Sequence, residues 1–422
     1  MAAITIITSS ALGSNPRVVK EAEALARRGH KVQVQSTRSL DVVDRRDAAI
    51  LEQASFSSMR LDLRKLRSWR LRRVLQIGAR YGFSALKLEA LAPWALNPVA
   101  PLLKETLSQS PPADLYIAHY VEALPAAAAL AARHGAAYAF DAEDFHVGEQ
   151  VDGPGVKAQR QIKRAIERRY LPGSLYVTAA SPLIAQAYVD TYAIALPTVI
   201  LNVFARGNAP FAPTAAGSVQ PGPSLYWFSQ TIGFGRGLKI AIRAIAEAKS
   251  APHLYLRGTP AAGFADELKA VAAEFGVSKR LHFLEPALPD DLERLAAGFD
   301  LGYSGEEGAE INRHYSLGNK IFSYLLAGVP ILASNTHSQR DLAAQLGEAM
   351  AIFPLGDVRA LAALIDSYLL NPALLAKARN DAWQLGQSRF NWEHEAERLV
   401  ALIEERLAAH KARALNGRRD DL

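Results

Sequence analysis

Cysteine is absent from this chain of 422 residues. Disulfides, thiolate catalysis and cysteine-ligated zinc are thereby excluded, and a reducing cytoplasm is the expected setting. No apolar run reaches the roughly 18 residues that a membrane-spanning helix requires. The nearest, Val121–Ala132, contains Glu122 and Pro125 and reads as a soluble helix. Met1–Ser10 lacks the basic start and the apolar core length of a secretory signal. There is no GxxxxGK[ST] phosphate loop and no GxGxxG fingerprint, so neither a P-loop NTPase nor a NAD enzyme has a supporting motif. No paired-histidine spacing suggests zinc.

Half of the residues are hydrophobic and 21% are charged. That composition builds packed cores and excludes disorder as the main state. Lysine plus arginine is 48 against 42 aspartate plus glutamate, a net charge of +6. That balance suits anionic small molecules, anionic lipid surfaces or nucleic acid and does not choose among them; no nucleic-acid partner is expected from the motifs.

Short apolar runs alternate with helical patterns throughout. Ile4–Thr8 reads as a buried parallel strand. Asn15 then caps a helix with Pro16 at its first position; Val18, Ala22 and Leu25 share one face, and Gly29 ends it. Lys31–Val34 completes a βαβ unit. Further strands are expected at Leu115–Ala118, Ala137–Phe140 and Leu175–Thr178. The stretch 206–224 is rich in Pro, Gly and Ala and reads as a linker. Strands resume at Leu225–Phe228, Leu254–Leu256, Leu281–Leu284, Leu301–Tyr303 and Val329–Ala333. A closing helix is expected over Trp392–His410, with a charged, frayed tail from Lys411. The fold class is therefore α/β, two Rossmann-like doubly wound domains facing a cleft. Residues 1–205 form the first, 206–224 the linker, 225–390 the second, and 391–422 a helix returning to the first plus the tail.

Ligands of such sheets bind at strand carboxyl ends. That rule nominates the Gly13 loop, His119, Asp141–Glu149, Ser229–Gly237, Gly258 and Ser304–Lys320. Gly13-Ser14-Asn15 offers backbone N–H groups at a helix start, an anion site or a plain turn. In Phe228–Gly237 (FSQTIGFGRG) three glycines allow close backbone approach, and Arg236 suits phosphate. Asn319-Lys320 opens a helix that Gly328 ends; Lys320 at a helix start is better placed with an anion bound than without. Asp141, Glu143 and Asp144, with His146 nearby, suit acid/base work, metal ligation or a solvated turn. Arg60–Arg73 is strongly basic, and Leu63, Leu66, Trp69, Val74 and Ile77 fall on one helical arc. It suits an anionic membrane surface or a plain basic helix.

These residues resemble GT-B-fold glycosyltransferases of group 1, the family 4 type. The likeness runs from Ser14–Arg17 and Gly29–Val32 through Ile200-Leu201-Asn202 and Leu225–Gly237 to Asn319–Pro330, which is similar to the family's PNKxFEYxxAGxP segment. The resemblance implies a nucleoside diphosphate sugar bound by the second domain, UDP ahead of GDP, and a hydroxyl acceptor, free or lipid-linked, bound by the first. It implies a retaining hexosyltransferase of cell-surface polysaccharide or glycolipid synthesis, cytoplasmic or peripheral on the inner membrane. No cofactor or metal is implied. Catalytic candidates are His119, Asp141, Glu143 and Asp144. Donor-binding candidates are Gly13, Ser229, Gln230, Gly235, Arg236, Gly258, Tyr315, Asn319, Lys320 and Ser323. Gln230 stands where the family has an arginine. Tyr315 and Ser323 stand where it has two glutamates, so an epimerase of the same architecture and a catalytically silent nucleotide-sugar-binding subunit stay open.

Overall fold

The computed structural model describes residues 1–39, 41–107, 110–151, 153, 155–213 and 222–420. The chain divides into two compact units, Met1–Ile200 with Ala396–Leu422, and Leu201–Glu395. The division thus falls at Ile200, ahead of the stretch 206–224. Of that stretch, Arg206–Asn208 forms a short 3-10 turn, residues 214–221 lie outside the described residues, and Ser224 already begins a strand.

The first unit holds seven parallel strands: β1 (Ala3–Thr8), β2 (Lys31–Arg38), β3 (Ser57–Asp62), β4 (Leu115–His119), β5 (Ala137–Ala142), β6 (Val177–Ala179) and β7 (Thr198–Val199). Their order is β3-β2-β1-β4-β5-β6-β7. The order reverses between β1 and β4, which makes that point the switch of a doubly wound sheet. The Pro16–Arg27 helix starts as its residues dictate. Asn15 Oδ1 accepts from the Val18 N–H at 3.3 Å, and Val18, Ala22 and Leu25 are buried.

The second unit holds six parallel strands: β8 (Ser224–Ile232), β9 (His253–Pro260), β10 (Leu281–Leu284), β11 (Leu301–Ser304), β12 (Ile331–Ser334) and β13 (Met350–Phe353), in the order β10-β9-β8-β11-β12-β13. Period-two alternation along β8 feeds two cores. Leu225 and Trp227 pack on one face of the sheet, and Tyr226 and Phe228 on the other. Helices therefore cover both faces, as a buried parallel sheet requires.

Three strands escape the periodicity reading: β3, the two-residue β7 and β13. The basic stretch also departs from expectation. Arg60 lies in β3, Leu63–Lys65 is a 3-10 turn, and the α-helix spans Trp69–Leu86. A single 100° arc through Leu63 and Ile77 does not exist. Arg60 pairs with Asp44 and Asp47, and Arg64 with Asp41 and Asp62, so part of the positive charge is neutralised. The last helix runs Trp392–Asp420, beyond the expected end at His410; residues 421–422 lie outside the described residues. Its Glu404 meets Arg28 and His30, and its Lys411 meets Asp114 at 2.8 Å.

Strand register sets a polar row across the first sheet. Thr8 pairs with His119, His119 with Asp141, and Asp141 with Thr178. Arg17, from the helix above, donates to both Asp141 oxygens at 2.7 and 2.8 Å and to the Ile200 carbonyl at 2.8 Å. The Arg17 and Asp141 side chains are 4% and 3% exposed. Burial would push the Asp141 carboxyl up, but the charges of Arg17 and His119 outweigh it and hold it at about 2. The folded value lies below the ordinary 3.8. The pair's contribution is therefore complete above about pH 4 and is lost as pH falls toward 2. Replacing Asp141 by Asn strands a buried guanidinium and should cost about 3–5 kcal/mol. Urea unfolding should show this loss near neutral pH, with a flattened acid limb in the variant.

Candidate functional site

In the second unit the switch point lies between β8 and β11. The loops that leave these strands are knitted together. Tyr303 donates to the Gly237 carbonyl at 2.8 Å, the Glu307 N–H to the Gly235 carbonyl at 3.3 Å, and the Glu306 N–H to Ser334 Oγ at 2.8 Å. Gly235 and Gly237 both take positive φ, which lets the chain turn twice around Arg236.

Arg236 Nη1 meets Glu306 Oε1 at 2.7 Å, and Arg313 Nη1 lies 3.9 Å from the other Glu306 oxygen. Lys320, in the first turn of the Asn319–Ala327 helix, holds its ammonium 5.2 Å over the Trp227 ring. Burial and the neighbouring Arg236 charge push this ammonium down to about 8, against the opposing pull of Glu306. Among the described residues, Glu306 Oε2 is a buried oxygen without a hydrogen-bond partner. Arg236 pairs with Glu306, and Lys320 lies near enough to feel the charges of both. Arg313 and Trp227 were not foreseen, because neither stands in a recognisable spacing.

Other donor candidates fall differently. Ser323 is fully buried and donates to Glu293 Oε1 at 2.6 Å, between its own helix and Leu292–Ala296. It lies one turn inside the helix, on the face that packs, and presents no group to a ligand. Gly258 has φ +139°, and a Cβ there would meet the Ser229 carbonyl oxygen at 2.1 Å. This glycine exists for the register shift between β8 and β9, which lies between Phe228 and Thr231. Ser229 and Gln230 occupy that shift, Gln230 exposed. Tyr315 ends a short helix, its carbonyl accepting from Ser338 at 2.5 Å, and Asn319 is exposed at its helix start.

In the first unit the Gly13 N–H donates to buried Asp47 Oδ1 at 2.7 Å. That donor faces a carboxylate of the chain itself, so the loop is not an open phosphate cradle. His119 Nε2 and Glu21 Oε2 lie 2.6 Å apart, and His119 Nδ1 is 3.3 Å from Asp141. Burial would lower the His119 ring, but the Asp141 and Glu21 charges outweigh it and hold it above the ordinary 6.5. Arg17, Glu21 and Thr178 were missed as partners. The signal was present: Arg17 and Glu21 are i and i+4 beside the apolar stripe of their helix.

Asp141 has no basicity to lend at neutral pH. Its oxygens receive Arg17 and, at 2.5 Å, the Thr178 hydroxyl. Glu143 is half-buried, and burial pushes its carboxyl up; Asp144 is half-buried beside it. His146 is packed away, its Nδ1 2.7 Å from the Tyr188 hydroxyl and 3.2 Å from Glu167. Among the described residues no group of three His, Asp or Glu is placed to hold a metal ion.

Residues 13–202 match the Glycosyl transferase 4-like domain family. The chain is 27% identical over 216 residues to the D-inositol 3-phosphate glycosyltransferase of Mycobacterium ulcerans (strain Agy99), a match covering 49% of this chain and 43% of that relative. The chain thus spans less than half the length of that curated relative. Among solved structures, Anabaena HepE in complex with UDP and glucose has a TM-score of 0.70 at 16% identity, covering 96% of this chain and 100% of the other. The sucrose-phosphate synthase of Thermosynechococcus elongatus has a TM-score of 0.70 at 15% identity, covering 97% and 100%. The chain thus shares the two-unit fold of these solved structures, and its residues 13–202 match the glycosyl transferase 4-like domain family.

Proposed function

We propose that the chain moves a hexosyl group from a nucleoside diphosphate sugar, UDP ahead of GDP, to a hydroxyl acceptor. The observation that carries this reading is the Arg236, Lys320 and Glu306 cluster at the second unit's switch point. A departing diphosphate develops negative charge, and preorganised cations stabilise that charge without reorganising. Lys320 is already desolvated there, so an arriving anion restores the ammonium's lost stabilisation. Arg236 forms a planar fork that transfers from carboxylate to phosphate geometry with little rearrangement. HepE, solved with UDP, supports UDP as the first donor to test.

The acceptor hydroxyl is assigned to the first unit, within cell-surface polysaccharide or glycolipid synthesis in the cytoplasm. Retention of configuration is proposed from the family likeness. An inverting route would need a base, and of the acids in the first unit Glu143 suits it better than Asp141, because burial raises the one and Arg17 depresses the other. The buried Ser323 and the tyrosine at 315 favour one second reading, a nucleotide-sugar-binding subunit without turnover. A thermal-shift screen with UDP-, GDP-, ADP- and dTDP-sugars separates donors. Ligand at about 100 times Kd should add about 2.7 kcal/mol of stability. Stabilisation by a donor with no transfer to any acceptor would select the silent subunit.

Arg236→Ala and Lys320→Ala should each lower turnover roughly ten- to a hundredfold, the loss of about 1.5–3 kcal/mol of charge-assisted contact. Steady-state kinetics with the stabilising donor checks this, and wild-type rates would remove the residue from the site. Donor affinity should weaken above about pH 8, where Lys320 loses its proton. Lys320→Arg should abolish that alkaline limb in a titration of donor binding. The reaction should be metal-independent, since the cluster supplies the charge a metal would. Turnover lost in EDTA and restored by Mg²⁺ or Mn²⁺ would overturn that point.

A further inference from the structure

The Trp69–Leu86 helix carries its apolar residues on the wrong side for a packed element. Gln76, Ala79, Gly82 and Phe83 are buried against the unit. Leu71, Val74, Leu75, Ile77, Tyr81 and Leu86 face outward; Ile77 and Tyr81 are each 68% exposed. Of the eighteen exposed large hydrophobic residues among those described, seven lie between Leu71 and Leu88. Polar tethers set the helix's rotation. Gln76 Nε2 donates to the Leu96 carbonyl at 2.9 Å, Arg80 Nε to the Ala95 carbonyl at 2.9 Å, and Arg72 pairs with Glu105 at 2.5 Å. Turning the apolar face inward would break all three.

The same segment is uniformly basic. Leu63–Leu88 contains eight lysines and arginines and no acid. It holds +8 of a net +6, so the rest of the chain sums to 6 − 8 = −2. Arg67 and Arg70 are exposed at the start of the helix. At its far end, Lys87 lines a cavity of about 300 Å³ with Arg164, Arg168 and Glu89, which extends the positive surface.

We infer that the outward face of the Trp69–Leu86 helix docks on an anionic lipid bilayer, its apolar residues entering the interface and its arginines meeting lipid phosphates. An exposed apolar face ringed by cations fits that boundary. Nucleic acid would answer the charge and leave the leucines wet. A second copy would answer the leucines and, across a two-fold axis, set the arginines against one another. The inference stands apart from glycosyl transfer and needs no donor or acceptor to be tested.

The test is flotation of the full chain with phosphatidylglycerol–phosphatidylcholine vesicles and with phosphatidylcholine alone. The chain should float with the anionic vesicles only, and less so as salt rises. Arg67→Glu with Arg70→Glu should weaken partitioning roughly tenfold or more, at about 1 kcal/mol per charge near the surface. Leu75→Ser with Ile77→Ser should abolish stable binding while every charge remains. Val74→Ser with Tyr81→Ser carries the same expectation, so the outcome does not rest on one variant folding. Equal recovery with neutral and anionic vesicles would overturn the inference, as would binding unchanged in the serine variants. A wild-type dimer that Leu75→Ser with Ile77→Ser dissociates would assign the face to a second copy instead.

Discussion

Parallel pairing is the constraint on which both units depend. All eleven strand pairings among the described residues are parallel. A parallel strand can be followed by its neighbour only through a crossover, so every strand in a sheet ends at the same edge. Each unit therefore gathers its strand-to-helix loops along one side. Where strand order reverses, two of those loops diverge and leave room for side chains to converge. The residues after β1 and β4 do this in the first unit, and those after β8 and β11 in the second.

The two edges have spent their charges differently. In the first unit Arg17 meets Asp141, Glu21 meets His119, and Asp47 takes the Gly13 N–H. These contacts tie the Pro16–Arg27 helix to β4 and β5, while His119 Nδ1 is buried without a hydrogen-bond partner among the described residues. In the second unit Arg236 and Arg313 share the carboxylates Glu306 and Glu310, and Lys320 lies over the Trp227 ring beside them. Lys320 is half-buried there, and burial with the neighbouring Arg236 charge pushes its ammonium down to about 8.

Much of this was legible in the residues. Apolar β-branched runs bounded by helical patterns announced ten of the thirteen strands at their places, and the capping of Asn15 and the stop at Gly328 follow from local backbone chemistry alone. Arg236 and Lys320 could be nominated because a turn after a strand and the start of a helix are sequence-local events. The strands that escaped, β3, β7 and β13, are short or polar, and their strand character comes from neighbours to pair with, not from their own pattern. Ser323 was nominated by its place in the family's segment, but the group it touches, Glu293, lies 30 residues away.

The sequence by itself determined the fold class, the parallel alternation and the two cations of the second unit, because each is written in residues a few positions apart. Only the tertiary structure decided which charges are already paired. Asp141 became the partner of Arg17, 124 residues away, and Lys320 was left over Trp227. It also decided that the leucines of Trp69–Leu86 face outward, because the helix is turned by carbonyls at Ala95 and Leu96 that no periodicity encodes. Electrostatic and rotational outcomes of this kind depend on distance and burial, and these exist only once the chain has closed on itself.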